Sequence, residues 1–434
     1  MTRRTSIAAL CLWAAAMLHP RAQSPTFRLP APTGAYAVGT TTWHVEDEAR
    51  AESFSGAGTS REVEVHAWYP VDAASGGRTA PYLREGLTEV QVFARLIRSS
   101  PTVFDGLASV VTHAKLDAPP ASTAAPLPVL VFSHGYTAIP SSYTALMEDL
   151  ASHGFGVLSV VHPFEATAAT LADGRVVTML DGGADRPSAA IMAVVGEWGE
   201  EDKTMAAVTA AADEGEQLRL TRGYLSGLRA TDAALRRWTD DTTLVLSRLS
   251  ALPKASAAAR VAGRLDTSRL GAFGHSMGGV TAGQFCLEDA RCKAALNLDG
   301  IPQYGTMIDK PLGRPFLMVY SARPGRTGAS DVVYRRAASR YDRADVRDTL
   351  HLDFSDMIFW GGPLRERPVL GAVAPARAAE ITRTIVREFF GQELAGRPSA
   401  LLAGTTTLPE VTVKSFTSPA PGDLRTRDNN VSIR

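Results

Sequence analysis

Arg269-Leu270-Gly271-Ala272-Phe273-Gly274-His275-Ser276-Met277-Gly278-Gly279-Val280-Thr281-Ala282-Gly283-Gln284-Phe285 is the stretch that decides the fold. Residues 269–273 read as a short buried strand, and the small residues from Gly278 onward open a helix. Between them, Gly274-His275-Ser276-Met277-Gly278 has the spacing of a sharp strand-to-helix turn that presents a serine at the end of an open, mostly parallel sheet. The glycines have a steric purpose, because a turn this tight strains the backbone of the serine and leaves no room for neighbouring side chains. On such a sheet the partners of the serine arrive on later loops, in the order acid then histidine. Of nine histidines, only His351 lies downstream.

The flanking sequence extends the same pattern. Residues 126–132 form a continuous apolar run leading into Ser133-His134-Gly135, as expected of a strand buried on both faces. A helix with Tyr143, Leu146, Met147 and Leu150 at helical spacing follows, then a second apolar run over residues 156–162. Strand, helix, strand with tight loops is a right-handed crossover. The alternation in Val63-Glu64-Val65-His66-Ala67-Trp68-Tyr69-Pro70 marks a half-buried antiparallel strand. Later come a long helix bearing Leu235, Trp238, Thr242, Val245 and Leu249, strands over 294–298 and 315–321, a helix over 331–341 and a closing helix over 375–394. The sum is an α/β-hydrolase fold with helices on both faces of a mostly parallel sheet. One domain over residues 28–400 is expected, with residues 187–227, Ala-rich and acidic, inserted as a helical cap whose Glu200-Glu201-Asp202 run reads as a solvated face. From residue 413 to 434 the composition predicts a disordered tail.

Composition excludes several classes. Lys plus Arg (45) equals Asp plus Glu (45), so no global field favours nucleic acid. Arg3 and Arg4, an apolar run over residues 7–18 and Pro20-Arg21-Ala22 have the layout of a signal peptide over residues 1–22, which predicts an exported protein, periplasmic or extracellular. Of the three cysteines, Cys11 falls in that segment. Cys286 and Cys292 remain as a disulfide candidate. Two cysteines without a histidine cluster make no zinc set, and neither a metal nor a cofactor is expected.

Ser276 needs a base, because an alcohol is almost wholly protonated at neutral pH, and an imidazole can take that proton and return it to a leaving group. His351 is the candidate. For the acid, Asp299 closes an apolar strand and precedes Gly300, which would bring its carboxylate out at the carboxyl edge of the sheet. Asp331, after the next strand, is the alternative. The oxyanion donors expected are the backbone N–H groups of Tyr136 and Met277, with Gly135 leaving space for the substrate carbonyl. His134 reads as a structural residue of that loop.

Together Ser133-His134-Gly135, Gly274-His275-Ser276-Met277-Gly278-Gly279, Leu296-Asn297-Leu298-Asp299-Gly300 and His351 with Phe354 and Asp356 resemble the platelet-activating factor acetylhydrolases of the plasma and intracellular type, especially their exported bacterial relatives. Trp68-Tyr69-Pro70 and His162-Pro163-Phe164-Glu165-Ala166 share in the likeness, which runs from about residue 34 to 390. The resemblance implies Asp299 as the acid and calcium-independent cleavage of short or oxidised acyl esters of glycerophospholipids. Met277 and Gly300-Ile301-Pro302 depart from the aromatic residues of animal members, which leaves head-group preference open. Met357-Ile358-Phe359-Trp360 could line an acyl pocket, touch a lipid surface transiently, or pack under the cap. A cutinase-like, polyester-directed or general short-chain carboxylesterase, an acyltransferase, and a non-catalytic binding module are the alternatives.

Overall fold

A computed structural model describes residues 27–55, 58–122, 125–182, 185–405 and 407–417 of the chain; the signal-peptide segment expected over residues 1–22 lies outside them. In chain order the elements begin with β1 (Ala37–Ala51), β2 (Ser60–Val71), β3 (Thr79–Pro81), α1 (Leu87–Leu96) and β4 (Val111–Leu116). The crossover unit follows as β5 (Leu127–Ser133), α2 (Thr144–Ser152) and β6 (Gly156–Val161). A small hairpin, β7 (Ala168–Thr170) and β8 (Val176–Thr178), leads to α3 (Ala189–Glu197), α4 (Glu201–Ala210) and α5 (Glu214–Leu225), the helices of the 187–227 segment. Then come α6 (Arg229–Arg248), α7 (Ala257–Ala262), β9 (Leu265–His275), α8 (Met277–Glu288), β10 (Cys292–Leu298) and β11 (Phe316–Tyr320). The chain closes with α9 (Asp331–Ala337), β12 (Arg340–Val346), α10 (Pro375–Ala395) and β13 (Val411–Thr417).

Among the described residues eleven of these strands form one sheet in the order β13-β12-β11-β10-β9-β5-β6-β2-β1-β4-β3, and β7 and β8 pair apart from it. From β6 across to β12 every pairing is parallel, and β2 joins β6 antiparallel. The continuous apolar runs follow from burial on both faces. In β5, Val129 and Val131 pack with α6 and α8, whereas Leu130 and Phe132 pack with α2 and α10. Both faces of such a strand therefore favour apolar side chains. This is the α/β-hydrolase arrangement, and its register is what assembles the site. Ser133 lies opposite Gly274, and Leu298 lies opposite both His275 and Val319, so β5, β9, β10 and β11 all end along one edge.

Two boundaries differ from the sequence expectation. The helix expected over 331–341 ends at Ala337, and Arg340–Val346 is a strand. Its charges are matched by local ion pairs, Arg340 with Asp342 and Arg343 with Asp345, so polar content does not keep it out of the sheet. The expected tail does not begin at 413, nor does the folded domain stop at 400: Val411–Thr417 pairs antiparallel with β12 as an edge strand. Residues 418–434 of that tail lie outside the described residues. Cys286 and Cys292 form a disulfide joining the end of α8 to the start of β10, with their Cα atoms 5.1 Å apart.

Candidate active site

Ser276 stands between β9 and α8 with φ 57° and ψ −126°, a conformation that costs a non-glycine residue on the order of 1–3 kcal/mol. The surroundings fix it. Its N–H donates to the Leu298 carbonyl at 2.9 Å, and its own carbonyl accepts from Gly279 at 2.9 Å. A Cβ on Gly274 would lie 2.2 Å from the Gly278 carbonyl carbon, and one on Gly278 would lie 2.0 Å from the Ser133 oxygen. Neither distance is physically possible without moving backbone, which is why the turn reads Gly-x-Ser-x-Gly.

Asp299 follows β10 directly and is fully buried, again with a positive φ of 57°. Its Oδ1 accepts from the Ser321 N–H at 2.9 Å. Its Oδ2 accepts from the Ser321 hydroxyl at 2.9 Å and from His351 Nδ1 at 2.7 Å, and forms an ion pair with the Arg323 guanidinium at 2.8 Å. Burial alone would raise the carboxyl, but the His351 hydrogen bond and the Arg323 charge bring it below the usual carboxylate range. His351 is 27% exposed along its side chain. Burial pushes its imidazole below the ordinary histidine value, and Arg323 adds to that against the pull of Asp299. The Nδ1–H faces the carboxylate, so the free lone pair of the neutral ring is on Nε2. Ser276, Asp299 and His351 line one cavity of about 170 Å³, together with Trp198, Glu201, Met277, Val280, Ile301, Tyr304 and Arg323. No direct Ser276–His351 hydrogen bond forms among the described residues; such bonds often tighten only once substrate is bound.

Asp331 is brought elsewhere. It accepts from Tyr320 at 3.0 Å, Tyr341 at 2.6 Å and Arg343 at 2.7 Å, which makes it a bracket for β11 and β12. Met277 opens α8, where the first N–H groups have no acceptor inside the helix. Gly135 passes close to Ser276, so that a Cβ there would sit 3.4 Å from Ser276 Cβ, and Tyr136 follows it, its ring buried against Met277 and Trp238. His134 is fully buried, accepts from the His162 N–H at 3.2 Å through Nε2, and donates through Nδ1 to the Gly135 carbonyl at 2.7 Å. Burial and the neighbouring His162 push its imidazole down to about 3, which keeps it neutral.

The sequence reading missed a second set of residues. His275 donates through Nε2 to the main-chain carbonyl of His351 at 2.8 Å. Because a carbonyl can only accept, its Nδ1 is the acceptor of the Tyr143 hydroxyl at 2.9 Å, and Tyr143 in turn accepts from the Gly135 N–H at 3.3 Å. This chain of bonds ties the loop after β5 to the backbone of His351. Of the run expected on a solvated face, Glu200 and Asp202 are exposed, whereas Glu201 turns toward the body of the protein. Glu201 accepts from Tyr304 at 2.5 Å and, with Asp202, pairs with Arg326. Met357-Ile358-Phe359-Trp360 does not line the cavity. Trp360 and Met357 are buried with Tyr82, Phe93 and Phe104, and the half-buried Phe359 stacks on Phe27, so this segment packs in the interior and forms no wall of the Ser276 cavity. Among the described residues, Glu64, His66 and Glu85 are the group whose ligand atoms cluster tightly enough to suit a metal ion. None of them lines the Ser276 cavity; His66 Nε2 contacts Glu64 at 3.0 Å, Glu64 also accepts from the Thr170 N–H at 3.0 Å, and His66 Nδ1 is buried without a hydrogen-bond partner among the described residues.

A family model described as platelet-activating factor acetylhydrolase, isoform II, matches residues 21–187. The chain is similar to the platelet-activating factor acetylhydrolases. The match spans β1 through β8 and ends before Ser276. Platelet-activating factor acetylhydrolase of Cavia porcellus is 26% identical over 260 residues, covering 59% of this chain and 54% of the relative. That of Gallus gallus is 24% identical over 294 residues, covering 62% of each. A probable 1-alkyl-2-acetylglycerophosphocholine esterase of Arthroderma benhamiae is 22% identical over 312 residues, covering 66% of this chain and 65% of the relative. The chain therefore spans between about half and two thirds of the length of these relatives. Among solved structures, ferulic acid esterase from Streptomyces cinnamoneus superposes with a TM-score of 0.67 at 27% identity, covering 89% of this chain and 98% of that one. By their names, all are ester hydrolases.

Proposed function

We propose that the chain is a serine carboxylic ester hydrolase working through an acyl-enzyme on Ser276, with His351 as base, Asp299 as its acid, and the N–H groups of Tyr136 and Met277 as oxyanion donors. The observation that carries this reading is the 2.7 Å bond from His351 Nδ1 to buried Asp299, in a cavity shared with a serine at positive φ. In the forward step His351 Nε2 takes the Ser276 proton as Oγ attacks the ester carbon, and the carbonyl oxygen becomes an oxyanion facing the two amides. Collapse breaks the bond to the alcohol, which leaves with the proton from His351. Water then repeats the sequence on the acyl-serine and releases the acid.

Similarity to the platelet-activating factor acetylhydrolases supports a glycerophospholipid ester with a short or oxidised acyl chain as substrate. The cavity supports a small acyl group, since about 170 Å³ is close to the volume that takes up benzene in an engineered core, about 150 Å³. An aryl acyl group is a second reading. It is favoured by Trp198 and Tyr304, whose rings on the cavity wall lie within 8° of parallel at 6.4 Å, and by similarity to a ferulic acid esterase. Cap residues on that wall argue against an open, polyester-directed site. Export of the chain is supported by the disulfide. Among the described residues no helix is long and apolar enough to cross a membrane.

The test is labelling by a fluorophosphonate probe, followed by hydrolysis of p-nitrophenyl acetate, a 2-acetyl glycerophosphocholine, a long-chain phospholipid and methyl ferulate. Labelling of Ser276 that is lost in His351→Ala, with the acetyl phospholipid preferred over the long-chain one, is the expected result. Absence of an adduct would turn the reading toward a binding module, and preference for methyl ferulate toward the aryl substrate.

A further inference from the structure

The acid of the site has a second cationic partner. Arg323 lies two residues past Ser321 on the loop after β11, and its Nη2 is 2.8 Å from Asp299 Oδ2 and 2.9 Å from the Asp299 main-chain carbonyl. Oδ2 is the same oxygen that accepts His351 Nδ1–H. One guanidinium nitrogen thus grips both the side chain and the backbone of a residue kept at positive φ without being glycine, and it does so on the wall of the Ser276 cavity. Resting on the hydrolase reading above, we propose that Arg323 is a positioning residue of the reaction: it orients the Asp299 carboxylate against His351 and offsets its charge.

The other groups facing His351 do not supply that offset. His275, at the end of β9, is pushed down to about 3 by burial, with His351 as the next contribution, and is neutral. Glu201 of the cap faces the same cavity, but its carboxylate is engaged by Tyr304 and Arg326. Asp299 and Arg323 are therefore the charges in hydrogen-bonded sequence with the ring. With the guanidinium present, the carboxylate is shared, and an imidazolium gains less from it than it would from a carboxylate of its own. The base stays neutral further into acid. The orientation is equally specific, because a guanidinium directs its N–H groups in a fixed plane while an ammonium acts as a point charge.

Arg323→Gln removes the charge, and Arg323→Lys keeps it while losing the planar donor. The measurements are the pH dependence of kcat/KM on p-nitrophenyl acetate, kcat and KM separately, and a melting curve for each variant. Arg323→Gln is expected to move the acid limb up by about one pH unit and to lower kcat on the order of tenfold to a hundredfold with KM little changed. Arg323→Lys is expected to keep the limb near that of the parent and still lose kcat. A folded Arg323→Gln with an unmoved limb overturns the charge role, and Arg323→Lys with full kcat overturns the orienting role. Should Arg323→Gln not fold, the limb and kcat of Arg323→Lys decide alone, a displaced limb counting against the proposal. Fluorophosphonate labelling separates this from the reading beneath it: an unlabelled Ser276 with hydrolysis surviving in Ser276→Ala defeats the triad, whereas a labelled Ser276 with indifferent Arg323 variants defeats only the role of Arg323.

Discussion

Asp299→Asn tests the assignment of the acid most directly, and its effect follows from the three hydrogen bonds the carboxylate accepts and its ion pair with Arg323. Oδ1 faces the Ser321 N–H, and Oδ2 faces His351 Nδ1, the Ser321 hydroxyl and Arg323. An amide has one acceptor where the carboxylate has two. Placed with Nδ2 at the Oδ2 position, it points N–H at Arg323 and at the imidazole N–H. Flipped, it points N–H at the main-chain N–H of Ser321. In the first placement His351 must adopt the other tautomer, which puts its proton on Nε2 and leaves no lone pair for Ser276. The equivalent change in a serine protease lowers kcat by about 10,000-fold, or about 5.5 kcal/mol of transition-state free energy, and a similar loss is expected here. A buried donor left unsatisfied adds about 1–3 kcal/mol of destabilisation in either placement. Steady-state hydrolysis of p-nitrophenyl acetate gives the first number and urea unfolding the second. Asp299→Asn with near-normal turnover would refute the reasoning and return attention to Asp331.

The acid limb of kcat/KM for the parent protein is expected below the ordinary histidine value of about 6.5, because burial and Arg323 lower His351; a titration of activity against pH checks this. His134 and His275, both pushed down to about 3 by burial, stay neutral in the fold while the unfolded chain takes up protons, so stability is expected to fall as pH drops from about 6.5 toward 3, visible in urea midpoints measured across that window. Gly278→Ala forces a Cβ to 2.0 Å from the Ser133 oxygen, and a lowered melting temperature with loss of fluorophosphonate labelling is expected. Arg326→Ala releases Glu201 and Asp202 of the cap, and is expected to change KM across acyl chain lengths more than it changes the melting temperature.

What could be read in the sequence was whatever burial imposes on neighbouring residues. Strands β5, β6 and β10 are mostly apolar because both of their faces are covered, and the Asp299-Gly300 step at the end of β10 pointed to Asp299 as the candidate acid. Gly300 has its own steric cause, since a Cβ there would lie 2.1 Å from the Ser276 oxygen. Strand β12 was obscured by Arg340, Asp342, Arg343 and Asp345, whose charges meet one another, so neither period nor apolar content marks it. In β13 the alternation of Val411-Thr412-Val413 was present, but the polar composition beyond it set the reading. Arg323, Tyr143 and the His275 contact to the His351 carbonyl depend on loops meeting in space, and nothing in local spacing encodes such meetings. Glu201 was misread for the same reason: an acidic run looks solvated until the partner, here Arg326, comes round from 125 residues away.

Trp198 and Glu201 come from the stretch between β8 and α6, whereas Ser276 and Asp299 directly follow β9 and β10, strands that the sheet keeps in register. On the proposed reading, reactivity and selectivity are encoded in separate stretches of the gene, and exchange of the segment between β8 and α6 is expected to retune which acyl group is accepted while the proton-transfer apparatus stays intact.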